Sequence, residues 1–433
     1  MDLDDQMGDF QMIHSSPSTF HSPSSILRSP PSTLHIPMSS PDLTAAEIEA
    51  VTQVLQTRHL SLGPRISEFE KRFAAYVGAR HAIGVSSGTA GLHLCVIAAG
   101  VGEGDLVITT PFSFVSSANV VLYERATPVF VDIDPNTLNI DPTLVAEAVH
   151  DLTEGGDAAR HWLPRSLRDH PSSNLQPPTS TFQPPTSILP VHAFGQPADM
   201  DAINAVAHEY GLAVIEDACE ALGAEYKGRR IGTQHATVFA FYPNKQMTTG
   251  EGGMIVTDRD DWDTLFRSLR NQGRDVFDAW LNHTRLGYNY RLGEMSAALG
   301  LVQLGRIEEL LAKRERVASW YNQRLADVEL VETPYVAPTT TRMSWFVYVV
   351  RLAPEINRNA VMAALEEQGI PSRPYFTPIH LQPFYRETFG YRKGDFPITE
   401  SVARSTLALP FSSVMTEEQV EYVGEHLVEV LPP

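Results

Sequence analysis

The chain has 433 residues, 43% of them hydrophobic and 20% charged, enough for one large folded unit and a smaller one. Its formal net charge of -19 sets the average surface against phosphate backbones and anionic membranes, which argues against nucleic acid as a partner. No apolar run approaches the roughly 18 residues that a membrane helix needs, and neither cysteine, Cys95 or Cys219, has a spacing that suits a metal, so a soluble cytoplasmic protein is expected.

Residues 1 to 35 are rich in Ser and Pro and are expected to be a disordered tail, with order beginning near Ile36. The acidic residues Asp2, Asp4, Asp5 and Asp9 precede any basic one, the wrong sign for a secretory or transit peptide. Thr44 and Glu47 have the spacing of a capping box, and Ile48, Val51 and Leu55 follow at helical intervals. A second helix places Ile66, Phe69, Phe73 and Val77 on one face. Short apolar strands then alternate with helical stretches: AIGV, LVITT, ATPVFVDI, ILPVHAF, LAVIEDA and ATVFAFY. This α/β rhythm predicts a mostly parallel sheet covered on both faces, within a large unit over 36–315. The span 151–187 contains QPPTS twice, has no periodicity, and reads as a flexible surface insertion. Residues 316–433 read as a smaller α+β unit, with the strand WFVYVVRL and helices around 357–369 and 417–430.

Ligands of open α/β sheets sit at the carboxyl ends of the strands, and polar residues follow the apolar strands at four such places. After AIGV comes Ser86-Ser87-Gly88-Thr89-Ala90-Gly91, either an anion site at a helix N-terminus or a tight turn with Thr89 as cap. Asp217 ends LAVIED, as a helix cap or the partner of a cation. Lys245 follows ATVFAFYPN, where a lone lysine would ordinarily be a surface residue. His192 ends the fourth strand, as a cofactor contact or a satisfied core histidine. Together they supply what a pyridoxal 5'-phosphate (PLP) enzyme needs: an amine for a Schiff base, a carboxylate for the pyridinium nitrogen, and a phosphate site. The sequence has no P-loop, HExxH or GxSxG, and the Lys227-Gly228-Arg229-Arg230 run reads as a solvated hairpin.

At these residues the chain resembles the DegT-type sugar-nucleotide aminotransferases, fold-type I PLP enzymes. The resemblance runs from Ile36 to the C-terminus outside the insertion. It is carried by LGPRISEFEKRFAAYVGARHAIGVSSGTAGL, TTPFSFVSSANVVL, PVHAFGQPADMDAI, EDACEALGAEYKGRRIG, FAFYPNKQMTTGEGG and GYNYRLGEMSAALGLVQL. It implies that Lys245 holds PLP and shuttles the proton, that Gly88 and Thr89 bind its phosphate, and that Phe114 stacks on the ring. Asp217 is then the partner of the ring nitrogen, Glu220 sits near the ring 3-oxygen, and Asn289 reaches the phosphate of the other subunit in a homodimer. Two positions depart from the family pattern: Ala240 stands where Ser is frequent, and Glu220 where Gln is frequent. The resemblance further implies transfer of an amino group, usually from glutamate, to a keto-sugar nucleotide. TTGEGG after the lysine leans toward the 4-position of a 6-deoxy sugar, and Arg373 and His380 are candidates for the nucleotide diphosphate. A PLP-bound sensor or scaffold of the same fold is the competing expectation.

Overall fold

The computed structural model describes residues 34–169, 184–275 and 282–432. Among the described residues thirteen strands form three sheets. In chain order they are β1 (His81–Val85), β2 (Leu106–Thr109), β3 (Thr127–Phe130), β4 (Pro185–Ile188), β5 (Ala213–Asp217), β6 (Glu225–Tyr226), β7 (Arg229–Arg230), β8 (Ala236–Ala240), β9 (Gly253–Thr257), β10 (Val331–Glu332), β11 (Thr340–Arg342), β12 (Tyr348–Leu352) and β13 (Thr406–Leu409).

The main sheet runs β1-β9-β8-β5-β4-β2-β3, and β9 alone opposes the direction of the others. Its strands are buried on both faces, which is why they read as continuous apolar runs rather than alternating ones. The mostly parallel sheet is therefore as expected, whereas β9 was not: GMIVT follows a Gly-rich turn and returns as a hairpin-like neighbour without the intervening helix that marked the other strands. One core packs helix Pro64–Val77 on β8, with Phe69 and Phe73 against Phe239 and Phe241. A second, on the opposite face, surrounds helix Gly88–Ala98.

Helix Ala45–Leu55 has the predicted box, Thr44 and Glu47 capping each other's backbone. Its buried face differs from the periodicity: Val54 and Glu47 turn inward, while Ile48 and Leu55 are 68% and 57% exposed. Glu47 is drawn in by Arg306 and Gln303, and a paired carboxylate there outweighs the apolar pattern.

The span expected as a flexible insertion, 151–187, is corrected in part. It contains the end of helix Pro142–Glu154, helices Gly156–Trp162 and Arg165–Asp169, and the start of β4. Ala159 and Leu163 enter the main core, and Trp162 Nε1 donates to Asp151 at 2.9 Å. Pro185 is accommodated because it opens the strand. The first QPPTS lies outside the described residues, as does the Ser/Pro tail to residue 33; Ile36 is already buried.

The third core joins β10, β12 and β13 to helices Arg358–Glu367 and Glu417–Val430. Helix Ile307–Leu325 belongs to both units, since Ile307, Leu310 and Leu311 enter the first core and Val317, Ala318 and Tyr321 the third. Lys227 and Gly228 turn the β6–β7 hairpin with positive φ, and Lys227 pairs with Asp201, as a solvated hairpin should.

Candidate active site

A cavity of about 450 Å³ lies at the carboxyl ends of β1, β5 and β8 and is closed on its far side by Phe346, Tyr375 and Phe376. Gly88, Thr89, Phe114, Asp217, Glu220 and Lys245 all line it. Residues as far apart in sequence as Gly88 and Lys245 thus meet at one place, as expected of strand ends in an open sheet.

The floor is the N-terminus of helix Gly88–Ala98. Ser87, not Thr89, is its cap: Ser87 Oγ accepts from Ala90 N–H at 3.0 Å, which leaves the Thr89 hydroxyl on the cavity wall. The helix's first N–H groups have no partner within the helix and favour an anion. Gly88 is small for packing as well as for access, since a Cβ there would lie 2.6 Å from Cys219 Sγ and 2.9 Å from Ala240 Cβ. Gly253 is under the same constraint, with Ser87 and Gly88 main-chain atoms within 2.8 Å of where its Cβ would be.

Asp217 closes β5 and is 4% exposed. Its carboxylate accepts from Ser117 Oγ at 2.8 Å and from Cys219 N–H at 3.1 Å, and Ser117 is held in turn by Ser113. No helix follows, so the alternative of a helix cap is gone. A buried carboxylate with fixed donors and an open cavity beside it is poised for a cationic partner.

Lys245 is seated by Tyr242, whose carbonyl accepts its N–H at 2.9 Å. Its ammonium lies 3.7 Å from Glu220 Oε1 and 3.7 Å from the Phe346 ring centroid. Burial raises the pKa of Glu220, opposed by the Lys245 charge and by Phe194 N–H, which donates to Glu220 at 3.0 Å. Asn244 Oδ1 is buried on the same wall with no partner among the described residues.

Two expected contacts are overturned. His192 is fully buried and both ring nitrogens are used: Nδ1 accepts from Ala198 N–H and Nε2–H donates to Glu216, each at 3.0 Å. It is the satisfied core histidine, and Val191 reaches the cavity instead. His380 is also fully buried, paired with Glu400 at 3.1 Å and packed on Phe396, so the Pro-rich loop hides it from any ligand. Arg373 is exposed, two residues before Tyr375 of the cavity wall. Asn289 is exposed and outside this chain's cavity, on a loop bridged to Asn271. Sequence reasoning missed the Phe346, Tyr375 and Phe376 wall, because those residues carry no polar signature and come from the distant unit.

The DegT/DnrJ/EryC1/StrS aminotransferase family model matches residues 41–428. The chain belongs to that family. It is 38% identical over 399 residues to GDP-perosamine synthase of Caulobacter vibrioides, covering 91% of this chain and 98% of that one. Spore coat polysaccharide biosynthesis protein SpsC of Bacillus subtilis is 36% identical over 408 residues, with 91% and 96% covered. Among solved structures, DesV of S. venezuelae superposes with a TM-score of 0.78 at 31% identity, covering 92% of this chain and 98% of that chain. The architecture is therefore that of a fold-type I PLP transferase, and the protein is a PLP-dependent aminotransferase of the sugar-nucleotide type. The cavity fits PLP, with an amine, a fixed carboxylate, a helix N-terminus and an unpartnered amide oxygen on its walls. Among the described residues no cluster could hold a metal ion, and no helix is long and apolar enough to cross a membrane.

Proposed function

We propose that this aminotransferase takes an amino group from glutamate and delivers it to a 4-keto-6-deoxy sugar nucleotide in the cytoplasm. The observation that carries the chemistry is the convergence of Lys245, Asp217 and the Gly88-Thr89 helix end on one cavity. Bound PLP supplies an electron sink for the pair left when the donor loses its Cα proton. Lys245 Nζ holds the cofactor and, once released, moves that proton. The Asp217 carboxylate, fixed by Ser117, keeps the ring nitrogen protonated, and Gly88 and Thr89 bind the phosphate. Phe114 and Glu220 line the cavity where Phe114 would cover a face of the ring and Glu220 would approach its 3-oxygen. Arg373 meets the nucleotide diphosphate.

The proposed unit is a homodimer in which Asn289 serves the partner's phosphate site. Support comes from Leu60, Leu62 and Met295, which are 49%, 52% and 39% exposed, beside the Ser61–Gly293 bridge. The substrate reading is supported by the TTGEGG segment and by a relative whose name carries a nucleotide-linked product. The test is incubation with labelled glutamate and a panel of keto-sugar nucleotides, with products read by mass. Label in the amine of a 4-keto-6-deoxy sugar nucleotide is expected; label only in a 3-amino product, or transfer from another donor alone, would overturn the finer reading.

A further inference from the structure

Arg314, in helix Ile307–Leu325, is 2% exposed, and its pKa is lowered to about 10 by burial alone. Among the described residues its four hydrogen bonds all end on main-chain carbonyls. Nη2 donates to Lys245 at 2.7 Å and Asn244 at 3.2 Å; Nη1 donates to Phe346 at 3.1 Å and Trp345 at 3.2 Å. One planar fork therefore spans two chain segments, 244–245 and 345–346, that are far apart in sequence, and both reach the cavity. Beside it Gln246, 2% exposed, ties the same two segments by donating to Ser344 and to the Glu220 carbonyl.

A buried cation without a carboxylate partner is costly. What the fork does is fix the main-chain carbonyl of Lys245 and that of Phe346, whose ring faces Lys245 Nζ, against one rigid group. We infer that Arg314 is a positioning residue for the transamination, setting where Lys245 Nζ stands relative to Phe346 as it moves the proton. This rests on the reading of Lys245 as the residue that holds PLP. Reacting groups misplaced by about 1 Å lose up to about a hundredfold in rate while substrate binding is little changed.

The test uses the full-length protein loaded with PLP. Arg314→Lys, which keeps the charge but not the fork, is the primary variant and Arg314→Gln the second; Tyr321→Phe, on the same helix and bonded to the Pro410 carbonyl, is the control for lost stability. Readouts are PLP occupancy, visible circular dichroism of the bound cofactor, and the single-turnover rate with glutamate. The expected result is full occupancy, altered dichroism, a rate lowered by about tenfold or more, and a KM for glutamate within about twofold of wild type. Dichroism and rate equal to wild type in either folded variant overturn the inference, as does the same rate loss in Tyr321→Phe. If wild type never develops a long-wavelength band with PLP, the premise about Lys245 falls first, and that outcome is separate from the others.

Discussion

At Glu220 burial and charge pull against each other. Burial raises its pKa, so the folded chain holds this proton more tightly than the unfolded chain does. Its contribution to stability is then complete below the ordinary glutamate range and is lost as pH rises through the raised value. Glu220→Gln lacks that loss. In the PLP-free protein, its stability relative to wild type should improve as pH goes from about 4 to about 8, read as the difference in urea midpoints; a constant difference would contradict this. Lys245, Asp217 and the Gly88-Thr89 turn were legible in the sequence because each stands at the end of an apolar strand, and the sheet brings strand ends together, whereas Glu220 was reached through the family resemblance alone. His192 satisfies the same rule and still misses the site. Its ring is taken by Glu216 and Ala198, and partners of that kind are not written in local pattern.

At the scale of elements, the turn proposed for the cofactor phosphate is held by close backbone approach as well as by the Ser87 cap. Gly253 opens β9 where that strand crosses Ser87 and Gly88, with no room for a Cβ. Gly253→Ala should cost about 1–3 kcal/mol in stability. It should also weaken PLP binding, because relief of the clash moves the helix end proposed to bind the phosphate. Thermal unfolding with and without PLP checks this, and an unchanged response to PLP would count against the role given to the turn. The strands of the parallel part were readable from their apolar runs. β9 was hidden because its glycines looked like the tail of the lysine motif, and helix Ala45–Leu55 shows that period predicts a helix better than it predicts which face is buried.

In the whole molecule two units share one site, and in the proposed homodimer two subunits would share it as well. Phe346 and Tyr375 close the cavity from the C-terminal unit, and helix Ile307–Leu325 is common to both cores, so we place the unit boundary near residue 315 within a continuous helix. If Asn289 serves the partner's site, Lys245→Ala and Asn289→Ala proteins, each impaired alone, should complement. Co-refolded in equal amounts, half of the dimers are mixed and each carries one intact site, giving about a quarter of wild-type activity. No recovery would mean that Asn289 acts within its own chain.

The identity of the lysine carries the rest of the account, and the absorbance spectrum tests it most directly. Purified wild type and Lys245→Ala are each given PLP and then glutamate. Wild type should develop a long-wavelength band that glutamate bleaches, and Lys245→Ala should show neither change. A wild type that never forms the band, or a Lys245→Ala protein that forms and loses it as wild type does, would contradict the assignment of Lys245.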